Sequence, residues 1–467
     1  MTTIQELAAQ NPWWRDPNAI EQDPKLVQLR AQPFQRRPSM LDAFRLDQPN
    51  VYTLRGPRQV GKSTTTKELI RNLIQTGFLP RRILYASMEL ERNPKALRDT
   101  VLRAKAQFPG EHSPWVIFID ELSWVRDWQT ALLYLREHTD AANDCFVLTG
   151  SSAVDLRGGA ERLPGRRGQA QDLDKLLLPL SFREFCQAIG LSAKLPIVGI
   201  NEIAVGEDTT PIRNAMLYLD ELQAALDNYL EVGGFPAAVA DFLRTGSVID
   251  TTIRTLWDIF AGDVGRGGRD RNTALKLLER VVLNLGSPSS WNALAEEMAV
   301  GKEHTAKEYA DVLADSFLLL VVHFLDLAKR SPAPKKGKKL YPTDPLLWRL
   351  PGYVRPGQQS PTTSHTIEAV LAMALFRARE AHLQESFSVP QSLYYWRTNS
   401  HKEIDFLVGQ PPKVVCVESK YATRIDGDMK KIVRNSFGKG LIVSRDTLEL
   451  DDTVRVVPVA VVLYLLP

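Results

Sequence analysis

Residues 51–63 constrain this chain more than any other stretch. They read Val51, Tyr52, Thr53, Leu54, Arg55, Gly56, Pro57, Arg58, Gln59, Val60, Gly61, Lys62, Ser63. Gly56 and Gly61-Lys62-Ser63 satisfy G-x-x-x-x-G-K-[ST], the phosphate-cradling P-loop. Glycines let backbone N–H groups turn inward as an anion nest, and the helix that follows adds its positive end. The setting agrees with the motif. Residues 51–54 read as a short strand, and 64–75 as a helix with Leu69, Ile70, Leu73 and Ile74 on one face and Gly77 as its stop. The expected ATP-binding residues are Gly56, Pro57, Arg58, Gln59, Val60, Gly61, Lys62, Ser63 and Thr64. Lys62 is expected to reach the β- and γ-phosphates, and the Ser63 hydroxyl to hold Mg²⁺.

Residues 82–88 read as a second strand, followed by a helical segment to about residue 107. Residues 115–121, Trp-Val-Ile-Phe-Ile-Asp-Glu, are an apolar run ending in two acids. A buried parallel strand delivers such acids to its carboxyl end, where ligands of open α/β sheets bind. After a P-loop this is the Walker B pattern, with Asp120 holding Mg²⁺ and Glu121 polarising the attacking water. The next apolar run, 145–152, ends in Thr149, Gly150, Ser151 and Ser152. There a hydroxyl is expected to sense the γ-phosphate, Ser151 first and Thr149 second; a plain turn of small residues is the alternative. In the basic loop 161–168, Arg166 is the candidate finger for a neighbouring subunit's nucleotide, or else a solvated loop arginine.

That order of motifs, followed by Leu178-Pro179-Leu180-Ser181-Phe182-Arg183-Glu184-Phe185, resembles one prokaryotic family. Its members are AAA-type ATPases, related to STAND-type ATPases, with a C-terminal restriction-endonuclease-like domain. Tyr229-Leu230-Glu231-Val232-Gly233-Gly234-Phe235-Pro236 resembles the family's helical lid, and Asp263-Val264-Gly265-Arg266 and Tyr341-Pro342-Thr343-Asp344-Pro345 are similar to further family stretches. The resemblance covers nearly the whole chain; residues 187–220 and the first 40 fit it least.

Residues 273–330 show helix-turn-helix spacing: helices near 273–285, 291–298 and 304–316, then apolar 317–327 as wing strands. Winged helices often read DNA with the last helix. Here that helix carries Lys307 but also Glu308, Asp311 and Asp315, so protein docking competes with DNA contact. Residues 330–339, with Arg330, Lys335, Lys336, Lys338 and Lys339, read as a basic hinge or wing tip. They are the best electrostatic footprint for nucleic acid, or a solvated linker.

The last domain holds a second constellation. Glu368 sits in a helix over 365–381. Asp405 lies in strand 403–408, and Glu418 and Lys420, two apart, share one face of strand 414–420. Two carboxylates can bind Mg²⁺, and a lysine beside them can orient water for phosphodiester hydrolysis. The D…E-x-K pattern resembles PD-(D/E)xK nucleases, with Glu368 as the upstream acid. A charged strand pair, with Lys420 salt-bridged to Glu418, is the alternative.

The rest of the composition bounds the reading. With 467 residues the chain should hold two to four domains, and 44% hydrophobic with 24% charged residues is ordinary for a globular protein. A net charge of +3 permits nucleic-acid binding without demanding it. Cys145, Cys186 and Cys416 have no ligand-like spacing, and none of the seven histidines is assigned a role. The apolar runs 317–322 and 456–466 fall short of the roughly 20 residues a membrane helix needs. A cytoplasmic protein is expected. Trp13 and Trp14, in the polar, Pro-rich residues 1–50, are expected to dock on the ATPase core or on a neighbouring subunit, with packing against their own domain as the alternative.

The expected fold class is α/β: an N-terminal arm (1–40), an AAA-type ATPase core with a parallel sheet (41–190), a helical lid with insertion (191–271), a winged helix (272–340) and a restriction-endonuclease-like domain (341–467). The resemblance and the motifs together imply an Mg²⁺-dependent ATPase, ATP as cofactor, a hexamer and a DNA-directed motor. The alternatives are a STAND-type nucleotide switch and an ATP-gated nuclease.

Overall fold

The computed structural model describes residues 3–112, 114–150, 160, 162–163, 165–170, 172–357, 361–380, 386–398, 402–450 and 453–467. The chain forms two compact units, Met1–Leu178 and Pro179–Pro467.

The first unit is built on β1 (Val51–Arg55), β2 (Ile83–Ser87), β3 (Val116–Asp120), β4 (Cys145–Gly150) and β5 (Asp174–Leu176). They pair in parallel in the order β2-β3-β4-β1-β5. Strands of a parallel sheet covered on both faces read as unbroken apolar runs. β1, β3 and β4 are buried at every residue, which is why each is legible in the sequence. Their carboxyl ends align, Arg55 beside Gly150 and Ser87 beside Asp120. Helix Lys62–Gln75 leaves β1 through the Gly-rich loop. It stops as expected: Gly77, at φ 88°, donates its N–H to Ile74 O (3.1 Å), and Phe78 N–H reaches Leu73 O (3.0 Å).

The N-terminal arm covers the open edge of this sheet. β2 is an edge strand, and an uncovered edge is a template for unwanted pairing. Asn11 imitates a neighbouring strand: its Nδ2 donates to Tyr85 O (2.8 Å) and its Oδ1 accepts from Tyr85 N–H (2.6 Å). Gln10 Oε1 accepts from Ser87 N–H (3.0 Å). The indole N–H groups of Trp13 and Trp14 both donate to Ile83 O, at 3.1 and 2.8 Å. Of the two expected sites for these tryptophans, the structure has them on the core of their own chain.

The second unit combines helices with a larger sheet. Its strands are β6 (Leu319–Asp326), β7 (Ser331–Pro332), β8 (Lys338–Pro342), β9 (Leu393–Arg397), β10 (Glu403–Val408), β11 (Val415–Ser419), β12 (Gly440–Ser444) and β13 (Val454–Pro458). The order is β13-β12-β11-β10-β9-β6-β7, with β8 pairing β6. Three stretches quoted for the family resemblance meet here. Leu180 N–H donates to Gly234 O (2.7 Å), Tyr229 OH to Leu180 O (2.9 Å), and Gly234 N–H to Asp344 Oδ2 (2.8 Å). A Cβ on Gly234 would lie 2.1 Å from Leu180 O, so the close approach requires glycine. The helix Phe182–Ala188, expected at the end of the ATPase core, belongs to this second unit.

The three expected helix-turn-helix segments are present as Arg271–Leu283, Trp291–Met298 and Glu303–Asp315. The expected wing differs. β6 pairs antiparallel with β8 and parallel with β9, so the hairpin lies inside the same sheet as the C-terminal strands. A wing keeps one face in solvent, whereas β8 and the first five residues of β6 are buried throughout. The boundary expected between 340 and 341 therefore falls within β8. Of the five cations of the expected basic hinge, Lys338 and Lys339 are buried, which leaves Arg330, Lys335 and Lys336 exposed. The apolar run 456–466 is the end of β13 plus helix Val459–Leu465, buried at every residue. Among the described residues, no helix is long and apolar enough to cross a membrane.

Candidate active site

The P-loop turn depends on backbone that only glycine adopts easily. Gly56 sits at φ 149°, and a Cβ there would lie 1.9 Å from Leu177 O. Gln59 and Gly61 also have left-handed φ, 61° and 101°, and Gly61 precedes the first helical residue. The Lys62 ammonium donates to Gly56 O (2.9 Å) and Pro57 O (2.8 Å), spanning the loop from the helix side. Ser63 and Thr64 follow in the first turn, where helix N–H groups favour anions.

Asp120 ends β3, and two hydroxyls hold its carboxylate. Tyr85 OH donates to Oδ2 (2.7 Å), and Thr149 Oγ1 donates to Oδ1. Burial first, then the neighbouring Asp120, pushes the Tyr85 phenol far above its ordinary pKa, so it stays a donor. Glu121 turns off the strand at φ 54°, a costly conformation for a non-glycine residue and one that collects at functional sites. Its N–H donates to Asp120 Oδ1 and Thr149 Oγ1, both at 3.2 Å. Thr149, the second choice as sensor, thus ties β4 to both Walker B acids. Ser151, the first choice, lies outside the described residues.

Sequence reasoning missed Tyr85; the available signal was a phenol between the apolar residues Leu84 and Ala86 of a buried strand segment. Lys67 was missed too. Its ammonium pairs with Asp23 (3.1 Å) and lies 3.6 Å from the centroid of the Tyr85 ring. Burial pulls its pKa down although Asp23 opposes this. Arg166 forms a half-exposed pair with Glu137 (2.6 Å). Arg167 is bound inward, bidentate to Asp174 at 2.9 Å on each arm. The Ser63 hydroxyl and the Asp120 carboxylate are hard oxygen donors of the kind Mg²⁺ takes.

The second constellation also comes together. Asp405 on β10 faces Glu418 on β11: Asp405 N–H donates to Glu418 Oε2 and Ser419 N–H to Asp405 Oδ2, both at 3.0 Å. Lys420 Nζ lies 3.0 Å from Glu418 Oε1, and Glu368 approaches from helix Thr363–Glu380. Burial, then Asp405, pushes the carboxyls of Glu368 and Glu418 well above the usual range. The sequence reading lacked the residue at the centre. Lys339, fully buried, salt-bridges Glu368 (2.9 Å), Glu403 (2.7 Å) and Asp405 (2.8 Å). Tyr341 OH donates to Glu368 Oε1 (2.6 Å). Among the described residues, no group of three or more His, Cys, Asp or Glu side chains is arranged to hold a metal ion.

Residues 48–186 match the family described as the AAA domain. This stretch is an AAA-type P-loop domain. The matched stretch contains every residue of the candidate nucleotide site named above apart from Asp23 of the arm. Residues 223–349 match a domain of unknown function (DUF8612), and residues 367–462 match another (DUF4143). The second cluster draws on both, Lys339 and Tyr341 from the former and the four acids from the latter. No curated protein matches the chain. Among solved structures it is similar to the Walker-type ATPase PABY2304 of Pyrococcus abyssi: 15% identity, 65% of this chain, 91% of that chain, TM-score 0.39. It is also similar to the Aeropyrum pernix ORC1 protein, solved in complex with DNA: 13% identity, 74% and 97% coverage, TM-score 0.32. RuvB of Thermotoga maritima gives 14% identity, 68% and 89% coverage, and TM-score 0.28. Likenesses this distant carry no argument about what the AAA domain acts on.

Proposed function

We propose that the chain is an Mg²⁺-dependent ATPase that works as an oligomer, a hexamer in our reading, and acts on duplex or branched DNA in the cytoplasm. The observation that carries the ATPase reading is the pair Asp120–Glu121, cross-tied through Thr149 at the carboxyl edge of the P-loop sheet. Lys62 exchanges its loop carbonyls for phosphate oxygens and meets the charge that develops on the transferred group. Ser63 and Asp120 hold Mg²⁺, which when bound neutralises phosphate charge. Glu121 takes the proton of the attacking water. Ser151 senses the γ-phosphate, and Arg166 exchanges Glu137 for a neighbour's nucleotide.

The DNA reading rests on the exposed cations Arg330, Lys335 and Lys336 and on the helix-turn-helix order. One observation favours a second reading, a nucleotide switch that controls protein assembly. Helix Glu303–Asp315 spends charge internally, Glu308 pairing with Arg269 (2.9 Å) and facing His304 (3.4 Å), and it leaves little positive surface for phosphates.

Steady-state ATP hydrolysis with Mg²⁺, alone and with single-stranded, duplex and four-way DNA, separates the readings. Stimulation by one DNA form, lost in Lys62→Ala, supports the motor. Turnover indifferent to every DNA, with nucleotide retained through gel filtration, supports the switch. No hydrolysis in any condition sinks the ATPase reading itself.

A further inference from the structure

The carboxylates of the second unit already have a cation, and it belongs to the chain. Lys339 Nζ makes three contacts of 2.7–2.9 Å, to Glu403, Asp405 and Glu368, and its side chain has no solvent exposure. An ammonium carries three protons, so three carboxylate oxygens saturate it. Tyr341 donates to the same Glu368 Oε1 that Lys339 holds. Most of the remaining oxygens are also engaged: Ser419 N–H donates to Asp405 Oδ2, Asp405 N–H to Glu418 Oε2, and Lys420 faces Glu418 Oε1. Arg397 Nη2 takes the second Glu403 oxygen at 2.7 Å. The backbone that carries Lys339 is fixed in β8, opposite Val322 of β6, and its side chain is enclosed by the protein. A divalent ion needs these same oxygens at about 2.0–2.6 Å, closer than an ammonium approaches, and the two cations would repel.

We propose that the Lys339 ammonium is the resident cation of this cluster, standing where a hydrolytic carboxylate site holds a divalent metal. The native chain then takes no metal there and cleaves no phosphodiester through Asp405 and Glu418. The pattern D…E-x-K is kept, but its cation is supplied by β8 and is not exchangeable. This is independent of the ATPase reading, since it concerns the other unit.

The test is Mn²⁺ titration of the nucleotide-free full chain, followed by electron paramagnetic resonance. An Asp120→Ala background removes the carboxylate of the nucleotide site. With Lys339 in place, Asp405→Asn should leave the binding isotherm unchanged within about twofold. Lys339→Ala and Lys339→Met should each gain one Mn²⁺ per chain, lost again when Asp405→Asn is added. A Lys339 chain that binds one Mn²⁺ at least tenfold more tightly than its Asp405→Asn counterpart overturns the proposal. So does a folded Lys339 variant that gains no ion. If neither Lys339 variant folds, the Lys339 chain and its Asp405→Asn counterpart decide the question alone.

Discussion

At the scale of single residues, the proposed nucleotide site turns on which groups hold Asp120 and Glu121 in place. Thr149 is a positioning residue: it donates to one acid and accepts from the backbone of the next. Thr149→Val keeps shape and removes both bonds. We expect kcat for ATP to fall roughly 5- to 150-fold, with KM within about twofold, since the two bonds contribute about 0.5–1.5 kcal/mol each. Equal loss in kcat and rise in KM would instead mean a disturbed pocket. Asp344 gives a pH signature. Burial pushes its carboxyl up to about 6, against the pull of the Gly234 and Leu346 N–H groups. A folded value above the unfolded one, about 3.9, means stability that is complete at lower pH and lost as pH rises through about 6. Asp344→Asn cannot titrate. Relative to the native chain, it should therefore gain up to about 3 kcal/mol between pH 4 and pH 7, read from urea unfolding at several pH values. A difference flat across that range would count against the buried acid.

At the scale of elements, legibility followed locality. β1, β3 and β4 are readable because a strand buried on both faces carries its evidence within itself. β5, with Asp174 and Lys175 in three residues, offers no such run and was not expected. β6 and β8 have the local pattern of a wing hairpin, but membership in the larger sheet depends on β9, some 70 residues on by the pairing of His323 with Tyr394. Lys339 is invisible for the same reason. Among Lys335, Lys336 and Lys338 it reads as solvated, and only tertiary neighbours give it three carboxylates. The arm follows the opposite logic, since two adjacent tryptophans announce a docking element but not its target. Asn11→Ala removes the amide that pairs with Tyr85 on both sides. The expected cost is about 1–3 kcal/mol in the denaturant stability of the first unit, with faster hydrogen exchange along β2. Unchanged exchange there would show that the edge needs no cover.

At the scale of the whole molecule, the expected five-part division becomes two compact units, because β8 and the C-terminal helix join segments that look separate in sequence. A fragment of residues 179–467 should unfold in one cooperative transition, whereas residues 341–467 alone should not, having lost β6 and most of β8. Circular dichroism with urea checks both. Helix Val459–Leu465 carries a further consequence, which concerns time. It packs against helices Phe182–Ala188 and Leu219–Val232, so the apolar faces of these early helices wait for it. At about 5–20 residues per second, the ribosome needs on the order of 15–50 s to reach it. During that interval the first unit can already be folded while the early helices of the second unit remain uncovered, so chains stalled short of residue 459 should be cut by protease within 182–232 and protected in the P-loop sheet. Until residue 459 is made, such a nascent chain exposes apolar surface of the kind that chaperones cover.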